Sequence, residues 1–217
     1  MDVLNDLSQV VLGEHPDRHI EASHDVLFLK NELIETFTRL AASRAAHEAS
    51  RDGGTTVVEP YVSPRTKAAS RDVLNASALL HHRSEVSRED LPALRYVLTT
   101  IPGNDRAISN SMQDLFSEAL DITLQSYSEP DLETVRELTT IAQTFHWWMH
   151  GTPLEAQRHH NGLARIFFSL IGKTSWHEVN YDTFVHALQG REILNPRVNA
   201  LREEILEDIL EYTGHAD

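Results

Sequence analysis

The chain has no cysteine, which excludes disulfides and thiolate metal sites and fits a cytoplasmic protein. Lysine is nearly missing as well. Of 19 basic residues only Lys30, Lys67 and Lys173 are lysines, a skew that suits a high-salt or high-GC host. Positive charge as a whole is scarce: with 33 acidic residues the formal net charge is -14 and the isoelectric point lies near 5.3. Nonspecific binding to nucleic acid or to an anionic membrane needs the opposite sign, so neither is an expected partner. No apolar run approaches the length of a membrane span. The opening residues, MDVLNDLSQVVLGEHPDR, lack the basic start and long apolar centre of an export signal. Signatures of covalent catalysis are absent too. There is no Gly-x-Ser-x-Gly elbow, and the plentiful carboxylates cannot be paired as acid and base from spacing alone. No residue is nominated as catalytic, and a free-standing enzyme is not expected.

What the chain does have is helical periodicity almost throughout its 217 residues, without sustained alternation, so the expected fold class is all-α. After a linker or N-terminal segment (1–22), Ser23 and Asp25 open a helix with an apolar stripe of Val26, Leu29, Leu33, Phe37 and Leu40. This helix is expected to fade after Arg44, before a Gly53-Gly54 loop and an extended Val57 to Val62. A second helix runs from Pro64 to about His82 with Ala69, Val73, Ala76 and Leu80 on one face. A third starts at Ser87, where Asp90 completes a capping box, Val86 can staple onto Leu91, and Ile101-Pro102-Gly103 ends the run. These helices make one domain, 23–105. Residues 106–217 form a second helical layer or small helical domain: a helix over 106–127 with Ile108, Met112, Leu115, Ala119 and Ile122 inward, a break at Ser128 to Asp131, then stripes through Phe145, Phe167 and Tyr181 to Leu188. A last helix is capped by Asn195-Pro196 and aligns Val198, Leu201, Ile205, Ile209 and Tyr212.

The densest signal is Tyr61 to Leu98, YVSPRTKAASRDVLNASALLHHRSEVSREDLPALRYVL. Ser63 is an N-cap and Pro64 occupies the first helical position, so Arg65 projects from the first turn of a helix. Orphan backbone donors, the helix dipole and a guanidinium together favour phosphate there. The segment resembles the C-terminal helical lid of MoxR-type AAA+ ATPases, most closely the RavA branch. The resemblance implies that Arg65 is the sensor 2 arginine, which reads ATP held by a separate nucleotide-binding core. "LLHHRSEV" is similar to that family's "LLxGR-x-x-V" turn, with His82 at the usual glycine. A left-handed helix end there is costlier for histidine, and Arg83 is expected to brace the turn. The alternative for Arg65 is a surface arginine paired with Asp72 or Glu59; Lys67 and Arg71 lie near it in sequence and either extend the patch or are solvated.

No Walker A loop or acidic Walker B strand is present. The decoy Gly172-Lys173-Thr174 lacks its upstream glycine, with Phe167 in that place, and Gly172 reads better as a helix C-cap. The resemblance therefore implies no cofactor for the chain alone, and ATP with Mg only in assembly with a AAA+ core in the same or a neighbouring chain. It further implies ring oligomers, chaperone-like remodelling and a von Willebrand A-domain partner, and a starting methionine that reflects a split or truncated gene. The rival reading is a stand-alone helical adaptor that binds protein without nucleotide. Two minor candidates remain. His146 and His150, four apart on one helix and followed by His159-His160, have a metal-gripping spacing but lack the glutamate of the zinc-protease pattern. Trp147 and Trp148 are candidate partner anchors, or are divided between core and boundary.

Overall fold

The computed structural model of the chain describes residues 3–12, 20–51, 62–99, 106–150, 161–173 and 176–214. These are overwhelmingly helical, with one strand pairing of two residues on each side. The chain divides into two compact units, Met1–Ser126 and Tyr127–Asp217.

In the first unit, α1 is Val3–Leu12, α2 is His24–Arg51 and α3 is Pro64–Leu80. A 3-10 helix over Arg88–Leu94 leads into the single turn of α4, Arg95–Leu98, and α5 covers Arg106–Gln125. The strands β1 (Glu21–Ala22) and β2 (Glu85–Val86) pair in parallel, tying the entry of α2 to the exit of α3. On α2 the expected stripe is buried at Val26, Leu29, Leu33 and Phe37. That helix does not fade after Arg44. Ala41, Ala42, Ala45 and Ala46 are strong helix formers, α5 packs along α2, and Arg44 donates to Ser111 Oγ at 3.0 Å. Phe37 meets the edge of Phe116 at 6.3 Å in the same interface.

This packing moves the unit boundary. Residue 105 was the expected limit, but α5 buries Leu115, Phe116, Ala119 and Thr123 within the first unit, and the division falls after Ser126. Ile122, expected inward, is 36% exposed because the buried face is turned toward Phe116 and Thr123. The face of α3 also differs from expectation. Ala69, Val73 and Ala76 are half-buried and Leu80 is 80% exposed, while Ser70, Leu74, Asn75, Ser77 and Ala78 are buried. Polar side chains on this inner face have buried partners: Ser77 Oγ donates to Asp90 at 2.7 Å and Asn75 Nδ2 donates to the Val11 carbonyl at 3.0 Å, while the Asn75 Oδ1 is buried without a partner among the described residues.

In the second unit, α6 is Glu129–Met149, α7 Asn161–Ile171, α8 Tyr181–Gln189 and α9 Pro196–Gly214, with a 3-10 turn at Trp176–Glu178. The break at Ser128 is also the cap of α6. Ser128 Oγ accepts from Asp131 N–H, and the Asp131 carboxylate accepts from Ser128 N–H at 2.8 Å. Val135, Leu138, Ile141 and Phe145 are buried along α6. Phe184 stacks on Phe167 at 5.0 Å and meets Phe145 at 5.2 Å, with Trp148 and Trp176 joining the cluster. Asn195 caps α9 by accepting from Arg197 N–H at 3.0 Å, and Val198, Ile205 and Ile209 are buried. Tyr212, the last member of the expected stripe, is 47% exposed. No helix of the described residues is long and apolar enough to cross a membrane. The expected 53–61 loop and extended segment, the stop at Ile101-Pro102-Gly103 and His159-His160 lie outside the described residues.

Candidate functional site

The candidate site is the mouth of α3. Ser63 has the extended backbone of an N-cap, φ -66° and ψ 155°, and its Oγ accepts from Thr66 N–H at 3.1 Å. Lys67 N–H donates to the Ser63 carbonyl at 3.0 Å, and Pro64 has no N–H to satisfy. The cap therefore uses most of the donors that an anion would otherwise meet. Among the described residues the Arg65 N–H is the first-turn donor left without an acceptor. The Arg65 side chain is exposed, and no described carboxylate pairs with it, Asp72 included. Glu59 lies outside the described residues. The guanidinium is thus presented to solvent beside the positive end of the helix dipole.

Lys67 and Arg71 do not extend this presentation. At about 100° per residue they lie roughly 200° to 240° around α3 from Arg65, while sharing one side with each other. That side acts on Lys30 of α2. Burial pushes the Lys30 ammonium below the usual lysine range, and the charges of Arg71 and Lys67 push it further down.

The far end of α3 is locked. His81 caps the helix and His82 takes the left-handed conformation, φ 56°. His82 N–H donates to the Leu79 carbonyl at 3.0 Å and Arg83 N–H to the Ala78 carbonyl at 2.9 Å, which is a Schellman closure. His82 thus takes the left-handed conformation at the usual glycine position in spite of its cost for a histidine. Arg83 donates to Ser87 Oγ and, at 2.8 Å, to Asp90, so it braces the turn as expected. Asp90 is fully buried and its carboxylate also accepts from Ser87 N–H at 2.9 Å. Burial alone would raise its pKa; the bonds from Ser87, Ser77 and Arg83 and the charge of Arg83 outweigh it and hold the carboxyl below the usual aspartate range.

The remaining candidates resolve locally. Gly172, φ 65°, follows the end of α7 in the left-handed C-cap conformation. Lys173 Nζ donates to the Glu178 carbonyl and to Thr183 Oγ1, at 3.0 Å for the latter, so this lysine is bound to protein groups. The His146 and His150 rings lie 4.1 Å apart at a tilt of 37°, and His150 Nδ1 lies 2.7 Å from the His146 carbonyl. Among the described residues no three His, Cys, Asp or Glu side chains converge as a metal site. Trp147 and Trp148 are both half-buried, and Trp148 packs on Phe145 and Phe184. Sequence reasoning missed that Lys30 feels the charges of Arg71 and Lys67, because that effect joins separate helices. It also treated Asp90 as a cap alone, whereas the carboxylate gathers Ser77, Arg83 and Ser87.

Residues 25–112 match the family described as AAA lid domain. The matched span starts in α2 and runs past residue 105 into α5, in agreement with the packing of α5 in the first unit. No curated protein and no solved structure matches the chain.

Proposed function

We propose that the first unit, as the lid of a AAA+ ATPase of the MoxR type and RavA branch, uses Arg65 to read the γ-phosphate of ATP bound by a nucleotide-binding core in the same or a neighbouring chain. What supports this reading is the exposed guanidinium at the capped mouth of α3, with no described carboxylate paired to it, inside the span that matches a AAA lid domain. In this assignment ATP and Mg belong to the assembled enzyme, and hydrolysis turns the lid against the core within a ring. The second unit then supplies contacts to other proteins, a von Willebrand A-domain partner among them, in a chaperone-like remodelling complex of the cytoplasm.

The test is the ATPase rate of the complex between this chain and its AAA+ core, parent against Arg65→Ala. Removing a cation that stabilises transferring phosphate costs on the order of 10²-fold or more in turnover. An exposed first-turn arginine contributes little to folding, so the thermal midpoint should stay within about 1 °C of the parent. Unchanged turnover refutes the assignment and leaves the nucleotide-free adaptor as the better reading.

A further inference from the structure

The second unit carries a cleft that the lid reading leaves unused. It opens between α6 and α9 and has a volume of about 170 Å³, comparable to the roughly 150 Å³ cavity that accepts one benzene ring. Rings from both helices form part of its lining, beside Ala142, Met149, Ile205 and Ile209. Phe145 and Tyr212 stand at 90° to each other with centroids 6.3 Å apart, and His150 meets Tyr212 at 6.1 Å and 60°. Two polar contacts accompany the rings. His150 Nδ1 is 2.7 Å from the His146 carbonyl, and its Nε2 makes a long contact of 3.4 Å with Tyr212 Oη. With the Nδ1 proton donated to that carbonyl, Nε2 is left to accept from the tyrosine.

The rim decides the sign of the guest. Asp208 is the carboxylate lining the cleft, and Glu204 and Glu211 stand one turn away on either side along α9, all exposed. Aromatic faces are electrostatically negative, so rings at right angles with a carboxylate beside them attract a cation and repel an anion. The ring walls narrow the choice further. A bare ammonium has three donors to satisfy, and besides Asp208 and the polar atoms of Tyr212 and the histidines the lining is apolar: Phe145, Met149, Ala142, Ile205 and Ile209. An alkylated ammonium has few or no donors and an apolar shell that rests on ring faces.

We propose that the α6–α9 cleft binds a methylated ammonium group. Free quaternary amines and methylated lysine side chains share this chemistry, and the assay separates them. The full chain is titrated by heteronuclear NMR with choline, with its neutral isostere 3,3-dimethylbutan-1-ol, and with a peptide carrying either trimethyllysine or lysine. Cation–π attraction in a partly desolvated site implies that choline or the trimethyllysine peptide binds saturably and at least roughly tenfold more tightly than its uncharged or unmethylated counterpart. Binding by choline points to a small-molecule source; binding by the methylated peptide alone points to a protein side chain. Tyr212→Ala and Asp208→Asn should each weaken binding by about fivefold or more, and Tyr212→Phe should retain it. Tyr212 is 47% exposed and Asp208 is exposed, so circular dichroism should be unchanged in all three. Equal binding of the neutral isostere, an undiminished Tyr212→Ala, or no saturable binding by either cation overturns the proposal.

Discussion

Replacing Asp90 measures how firmly the turn after α3 is held. The carboxylate accepts from Ser77 Oγ at 2.7 Å, Arg83 at 2.8 Å and Ser87 N–H at 2.9 Å, with no solvent exposure. Removing one partner of a buried charged network costs about 3 to 5 kcal/mol, because the other partner is left uncompensated. The Arg83 side chain is 28% exposed and can recover some water, so the expected cost of Asp90→Ala is the lower end, about 3 kcal/mol. Asp90→Asn keeps the shape and one acceptor, and should cost about half as much. Urea unfolding followed by circular dichroism reads the loss. With a slope of about 1.5 to 2 kcal/mol per molar for a unit of this size, the midpoint should fall by roughly 1.5 to 2 M. All three tryptophans, Trp147, Trp148 and Trp176, lie in the second unit. Their fluorescence reads that unit, and the difference between the two probes isolates the first. A pH series adds a second check. Because the folded carboxyl is held below its usual value, Asp90 contributes stability that is fully present above about pH 4 to 5, near the unfolded value, and is lost as pH falls through the folded value. The parent should therefore lose this increment on acidification, and Asp90→Asn should show a shallower slope. A cost below about 1 kcal/mol for Asp90→Ala, or equal costs for the two variants, would refute the reasoning.

His82→Gly removes a side chain from a left-handed position and should raise stability by about 0.5 to 1 kcal/mol, read as a higher urea midpoint; a lower midpoint would mean that the ring makes a contact worth more than the strain. Lys30→Met should raise the thermal midpoint. Burial, Arg71 and Lys67 all disfavour the charged lysine in the folded chain. This penalty is fully present below the folded pKa and disappears as pH rises toward the unfolded value near 10.4, so parent and variant should converge in alkali. A variant less stable than the parent at neutral pH would show that the ammonium has a favourable partner.

Features set by neighbours in sequence were legible. The caps at Ser63, at Ser87 with Asp90, and at Asn195 each need residues two or three positions apart, and all three are present. The helix end at His82 was equally local. What failed depended on distant partners. The inner face of α3 carries Ser70, Asn75 and Ser77, which a hydropathy stripe discards, yet the Asn75 amide nitrogen finds its acceptor in Val11, 64 residues away. The same holds for α5. Its stripe suits a second domain as well as it suits α2, and only the packing of Phe116 on Phe37 decides. At the candidate site, the position of Arg65 could be read from Ser63-Pro64, but its separation from Lys67 and Arg71 required helical angles, and the gathering of Lys30 with those two required the fold. The α6–α9 cleft was half visible, since His146, His150 and Tyr212 all stood in recognised helices with nothing to bring them together.

The asymmetry of α3 bears on the proposed role of Arg65. Its C-terminal end is closed by the Schellman bonds of His82 and Arg83 and anchored through Arg83 to Asp90, its middle is tied to α1 through Asn75, and β2 joins the segment just beyond it to the entry of α2. Its N-terminal end carries a side-chain cap and an exposed guanidinium. A pull on Arg65 by a phosphate would act on one end of a rod of 17 residues, about 25 Å long at 1.5 Å per residue. Fraying the first turn would break the Ser63 cap, which is worth about 1 kcal/mol, while bending the rod would break several helical bonds and the Asp90 network. Moving the locked helix together with the elements fixed to its far end breaks none of these, so under the lid reading a signal received at Arg65 is delivered as rigid displacement of the first unit's core.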